Sequence, residues 1–166
     1  MAVLRAATIG RTEKLPLPDA ASELLDECRM VLPGIQALFG FQLVAVTNSR
    51  FTILQPFEQN LHILATILVA AAIAIIMTPA ALHRQTCPQE VTESFLRISS
   101  FLMLVSMFPL AIGISLEFYL VARIVIHGMV PSILAGALFA LFVVLWFILP
   151  RAEGLQRIIG GAPVHD

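Results

Sequence analysis

Four long stretches of this chain contain no Asp, Glu, Lys or Arg, and they constrain its fold more than any other feature. Twenty such residues separate Arg29 from Arg50, 25 separate Glu58 from Arg84, 19 separate Arg97 from Glu117, and 27 separate Arg123 from Arg151. A helix needs about 20 mainly apolar residues to cross a hydrocarbon core of about 30 Å. Each stretch is long enough for one crossing and too short for two. Backbone polar groups in lipid must be satisfied within the segment, which favours helices. The alternating pattern of an outer-membrane barrel is missing, because residues 61–77 are almost continuously apolar. The expected fold is therefore all-α and integral to the membrane, with four transmembrane helices over about 30–49, 61–82, 98–118 and 130–149. Residues 1–18 read as an extended cytoplasmic segment, 19–151 as the transmembrane domain and 152–166 as a cytoplasmic tail.

Composition agrees. Hydrophobic residues make up 58% and charged residues 13%, against about 45–50% and 25% in soluble domains. A net charge of −1 offers no basic footprint for nucleic acid. The first 29 residues carry nine charges and no apolar core of signal-peptide length. Lys and Arg are distributed unevenly between the two sides. With four spans, Arg5, Arg11, Lys14, Arg29, Arg84, Arg97, Arg151 and Arg157 share one side, and Arg50 and Arg123 the other. The positive-inside rule then places both termini in the cytoplasm. Cys28 and Cys87 would face a reducing compartment, where a disulfide does not persist.

Helix one is expected to begin before the membrane, capped by Asp19. Leu24, Leu25, Cys28, Val31, Leu32 and Ile35 form its apolar stripe, with Glu23, Asp26 and Glu27 in water. That stripe packs on the chain's own bundle or on a partner. Pro33-Gly34 predicts a kink. Thr66, Ala70, Ala74 and Thr78 on helix two, and Ser132, Gly136 and Ala140 on helix four, recur at four-residue steps. Small residues let membrane helices approach closely, so these stripes are expected to pack helices within the chain or between copies. Helix three repeats Ser99, Ser106 and Gly113 at sevens and holds Pro109, where a bend is expected. It should open near Pro88, with Glu90 and Glu93 at its positive end.

Candidate chemistry collects at the outer rim, where Arg50, Glu58, His62, Glu117, Arg123 and His127 form either a salt-bridge cap or a shallow ion or ligand vestibule. Glu117 lies 20 residues after Arg97, about 30 Å along a helix, and so belongs at the outer boundary. Gln36 and Gln42 are the largest polar groups of helix one and are expected to hydrogen-bond between helices. Phosphate loops, metal-binding His pairs and nucleophile elbows are absent from the sequence. The expectation is no catalytic residue, no cofactor and no metal.

Further residues carry a family resemblance. They are Glu23-Leu24-Leu25, Leu32-Pro-Gly-Ile-Gln-Ala-Leu-Phe-Gly-Phe41, Phe57-Glu-Gln59, Pro79-Ala-Ala-Leu-His-Arg84 and Leu145-Trp-Phe-Ile-Leu-Pro150. Over residues 22–151 the chain resembles small bacterial four-helix membrane proteins of unknown function, the DUF6328 group. The resemblance implies the four-helix arrangement and a bacterial inner membrane, and brings no established activity. Some look-alikes carry a sodium–proton antiporter label, but that mechanism needs a carboxylate buried within the membrane, and the sequence predicts none. The expected function is a non-enzymatic accessory, assembly or stabilising subunit, whose partners are the lipid bilayer and other membrane subunits or copies of itself. The alternative is a small, antiporter-like ion or proton transporter using the rim charges.

Overall fold

A computed structural model describes residues 16–49, 51–86 and 92–152. Four helices of this chain are long and apolar enough to cross a membrane, and among the described residues there is no strand. Helix α1 spans Leu17–Thr47, α2 Pro56–Thr86, α3 Glu93–Val125 and α4 Val130–Val143. A 3-10 turn, Phe51–Ile53, lies in the α1–α2 connection. A π turn, Val144–Ile148, and a 3-10 turn, Leu149–Arg151, prolong α4. The end holding the 48–55 and 126–129 connections is here the hairpin end, and the opposite one the terminal end.

Helix α1 starts at Leu17, with Pro16 before it and Asp19 in its first turn rather than at its cap. Pro18 sits in the first turn, where its missing N–H has no intrahelical partner to lose. The helix runs on through Pro33, and α3 through Pro109. Helix α3 opens on Thr92, whose Oγ1 accepts from the Phe95 N–H at 3.2 Å. Pro88, Glu90 and Cys87 lie outside the described residues, as do residues 1–15, 153–166 and Arg50. Gly128, with φ +93°, turns the chain tightly from α3 into α4 in a conformation that glycine adopts freely. The π turn has a cause in sequence. The ring of Pro150 would crowd the carbonyl four residues back in a regular helix, and a wider turn removes that clash.

Packing follows a seven-residue rhythm. On α2 the buried positions are Glu58, His62, Ala65, Val69, Ala72, Ile76 and Pro79, alternating four- and three-residue steps. On α3 Ser99, Ser106, Leu110, Gly113 and Leu120 are buried in the same rhythm. This is the spacing of left-handed knobs-into-holes packing. Gly113 marks the closest approach, because a Cβ there would meet Val69 Cγ2 at 2.8 Å and the Ala65 carbonyl at 3.1 Å. The Ser99, Ser106, Gly113 repeat is thus the α3 side of the main seam.

The stripe singled out on α2 is a different face. Thr66, Ala70 and Thr78 are half-buried and Ala74 is exposed, so within one chain the seam lies a step away, on Ala65, Val69 and Ala72. On α4 the whole of Ser132, Gly136 and Ala140 is exposed. Most of the α1 stripe packs inward: Leu24, Cys28 and Ile35 join Val69, Ala72, Ile76 and Leu110 in one core with Leu32 against it, leaving Glu23, Asp26 and Glu27 exposed; Val31, expected in the stripe, is exposed.

Candidate functional site

The two central helices carry their seams into polar residues at the hairpin end. His62 and Glu58 continue the α2 seam by one and two turns beyond Ala65, and Glu117 continues the α3 seam beyond Gly113. These side chains therefore face the neighbouring helices and not the outer surface of the bundle. His62 Nδ1 lies 2.9 Å from Glu117 Oε1, with side-chain exposures of 4% and 17%. Gln42 of α1, 3% exposed, donates from Nε2 to the same Glu117 oxygen at 3.1 Å. His62 Nε2 is 3.0 Å from the backbone carbonyl of Gln42. One cluster thus ties α1, α2 and α3 together.

Hydrogen-bond chemistry limits where the protons can sit. A carbonyl oxygen only accepts, so Nε2 carries a proton and donates it to Gln42. The Nδ1–Oε1 contact then needs one proton between its two atoms. That proton sits on the imidazole, facing a carboxylate, or on the carboxyl, facing a neutral imidazole. In both cases the pair is neutral overall, which is the form a low-dielectric site tolerates best.

A second tie lies nearer the helix ends. Arg123 Nε donates to Glu58 Oε1 at 3.1 Å, and Glu58 Oε2 accepts the Gln55 N–H at 3.0 Å. Glu58 therefore caps the start of its own helix and pairs across to α3. Of the six rim residues, four form these two pairs. His127 is exposed beyond the end of α3, and Arg50 lies outside the described residues.

Glu117 is eight residues from Val125, about 12 Å along the helix. Helix α3, with 33 residues, is about 50 Å long and overshoots a hydrocarbon core of about 30 Å by roughly 10 Å at each end when centred. Glu117 then falls at the outer edge of the core, the level expected for it. Its setting differs from expectation, because protein covers it on three sides. Glu117 is thus a rim residue with a largely covered carboxylate, 17% exposed. The sequence signal for it was its phase with the seam, which distance along the helix alone does not reveal. Gln42 fulfils its expected interhelical role, whereas Gln36 is exposed.

A cavity of about 220 Å³ reaches this cluster. His62, Glu117, Phe51, Leu54, Ala45 and Leu120 are among the residues lining it. The Phe51 ring meets the His62 ring edge-on, with centroids 5.2 Å apart. Among the described residues, no three His, Cys, Asp or Glu side chains converge to hold a metal ion.

Comparison with known proteins places this architecture in a family. The family model described as "Family of unknown function (DUF6328)" matches residues 17–150, all four helices included. No curated protein and no solved structure matches the chain.

Proposed function

We propose that this chain, which belongs to the DUF6328 family, is a non-enzymatic subunit that assembles with or stabilises other membrane helices, either copies of itself or a larger complex. The single observation carrying this reading is Gln36. It lies six residues before Gln42, about 9 Å deeper in the hydrocarbon region, and its side chain is exposed. A primary amide without partners in hydrocarbon costs several kcal/mol on alkane-transfer scales, about 4–8, and Gln is too short to reach a headgroup from that depth. Gly40 stands one turn away on the same face, with nothing within 4 Å of where its Cβ would be. A second helix can approach closely there and satisfy the amide. The Lys and Arg distribution supports a cytoplasmic membrane with both termini inside.

Gentle extraction followed by native mass analysis tests the reading. The expected species is larger than the 18.1 kDa chain, and Gln36→Leu shifts it to monomer without loss of helical content. A wild-type monomer free of any partner would overturn the proposal. A small ion or proton transporter is the second reading, favoured by the buried His62–Glu117 pair. It predicts proteoliposome flux that Glu117→Gln abolishes.

A further inference from the structure

We propose that the cavity at the hairpin end binds a primary ammonium group carried on an apolar body, and that binding expels the proton shared by His62 and Glu117. Glu117 spends one carboxylate oxygen on His62 and Gln42. Oε2 takes no part in those two contacts, and Glu117 lines the cavity. That oxygen accepts from an N–H donor and offers nothing to a ligand that only accepts. The remaining walls are largely apolar: Ala45, Leu54 and Leu120 can cover a hydrocarbon body, and the Phe51 ring can face a cation. A bare metal ion fits poorly, since a hard cation needs six or more oxygen ligands to replace its water.

Charge balance supplies the coupling. Before binding, the His62–Glu117 pair holds one shared proton and is neutral overall. An ammonium ion beside Oε2 adds one positive charge in a poorly solvated site. Loss of the shared proton to solvent, from Nδ1 or from Oε1, restores neutrality and leaves R–NH3+ against a Glu117 carboxylate and a neutral His62. The ammonium brings further N–H groups, one of which can donate to Nδ1 in place of the lost proton. Only the N–H or O–H bond of the shared proton is broken. The other ionisable groups leave this balance unchanged. Glu58, one turn nearer the end on α2, and Arg123, six residues beyond Glu117 on α3, neutralise each other at 3.1 Å. Helix α1 contributes Gln42 and Asn48, neither of which titrates, and α4 carries no ionisable side chain over Val130–Val143. His127 is exposed beyond α3. The inference requires no transport step and does not depend on assembly through Gln36.

The test uses full-length protein in nanodiscs of phosphatidylcholine and phosphatidylglycerol, which contain no primary amine. Benzylammonium and its neutral analogue benzyl alcohol are titrated calorimetrically in two buffers of different ionisation enthalpy. The expected result is one saturable benzylammonium site, about one proton released per cation, and affinity falling about tenfold per pH unit on acidification while the pair is protonated. Benzyl alcohol binds at least tenfold more weakly. Glu117→Gln weakens the ammonium at least tenfold, and His62→Phe abolishes the proton release. Leu54→Trp, which fills the cavity without touching the polar cluster, also removes binding and covers the case in which Glu117→Gln fails to fold. Equal binding of the alcohol, full affinity in folded Glu117→Gln or in Leu54→Trp, or absence of proton release from wild type would each overturn the proposal. Discs containing phosphatidylethanolamine separate the sources. Competition with benzylammonium identifies a lipid headgroup as the ammonium, and lack of competition identifies a free amine.

Discussion

Gly113→Ala offers the sharpest probe of the seam that aligns the polar site. The new methyl would lie 2.8 Å from Val69 Cγ2 and 3.1 Å from the Ala65 carbonyl, whereas ordinary carbon contacts begin near 3.5 Å. Restoring that distance requires α2 to withdraw by several tenths of an ångström, or Val69 to leave its rotamer. Overpacking of this kind costs about 1–3 kcal/mol, and alanine's better helix propensity returns up to about 1 kcal/mol. The net loss is therefore about 0–2 kcal/mol, too broad a range for the single variant to be decisive. A double-mutant cycle with Val69→Ala is decisive, because it removes the 2.8 Å clash and leaves the 3.1 Å one. Val69→Ala alone should destabilise by opening a void in the core, yet in the Gly113→Ala background it should cost much less or even stabilise. The expected coupling is favourable and about 1 kcal/mol or more. Unfolding in mixed micelles, followed by helical content and by the single tryptophan, Trp146, measures all four corners. Strict additivity would refute the claim that these two residues set the α2–α3 distance.

Three further outcomes follow from the same packing. Arg123→Gln and Glu58→Gln should each cost about 1 kcal/mol or less if the pair behaves as an exposed ion pair, because Arg123 is 37% exposed; Glu58→Gln should be the worse of the two in unfolding titrations, since it also weakens the acceptor for the Gln55 N–H. Gly136→Leu should not destabilise the monomer, as nothing lies within 4 Å of its Cβ position and leucine is the better helix former, and any loss should appear only as a smaller species in native mass analysis. Ala74→Leu should be tolerated in folding assays while Ala72→Leu, at a fully buried position, should not; equal effects would place the seam elsewhere.

How far the fold was legible in sequence depends on which physical rule governs each feature. The four spans follow from the free energy of burying charge in hydrocarbon, and charge-free runs report that directly. The choice of packing face was harder. Thr66, Ala70, Ala74 and Thr78 form a smoother row of small residues than Ala65, Val69, Ala72 and Ile76, but four-residue steps drift around a straight helix. Alternating steps of three and four stay on one side. Helix three's Ser99, Ser106 and Gly113 obeyed the seven-residue rule and proved to be the seam. The π turn ahead of Pro150 was legible only as a proline, since the sequence does not say whether a helix breaks or widens around one.

The site was legible in its members and hidden in its pairing. Sequence position put Glu58, His62, Glu117 and Arg123 at one level, and the structure divides them into two pairs by helix phase. Glu117 and Arg123 are six residues apart and point to different neighbours, so each takes its partner from α2, where Glu58 and His62 are one turn apart. The outer tie joins half-exposed Arg123 to buried Glu58 and behaves as a clasp between α3 and α2. The inner tie is shielded, shares a single oxygen with Gln42, and leaves the second oxygen of Glu117, a residue of the cavity wall, out of both contacts. A cap would gain nothing from that second oxygen. That second oxygen, beside an open and largely apolar cavity and a pair that shares one exchangeable proton, is what distinguishes a ligand site from a structural clasp at the same depth.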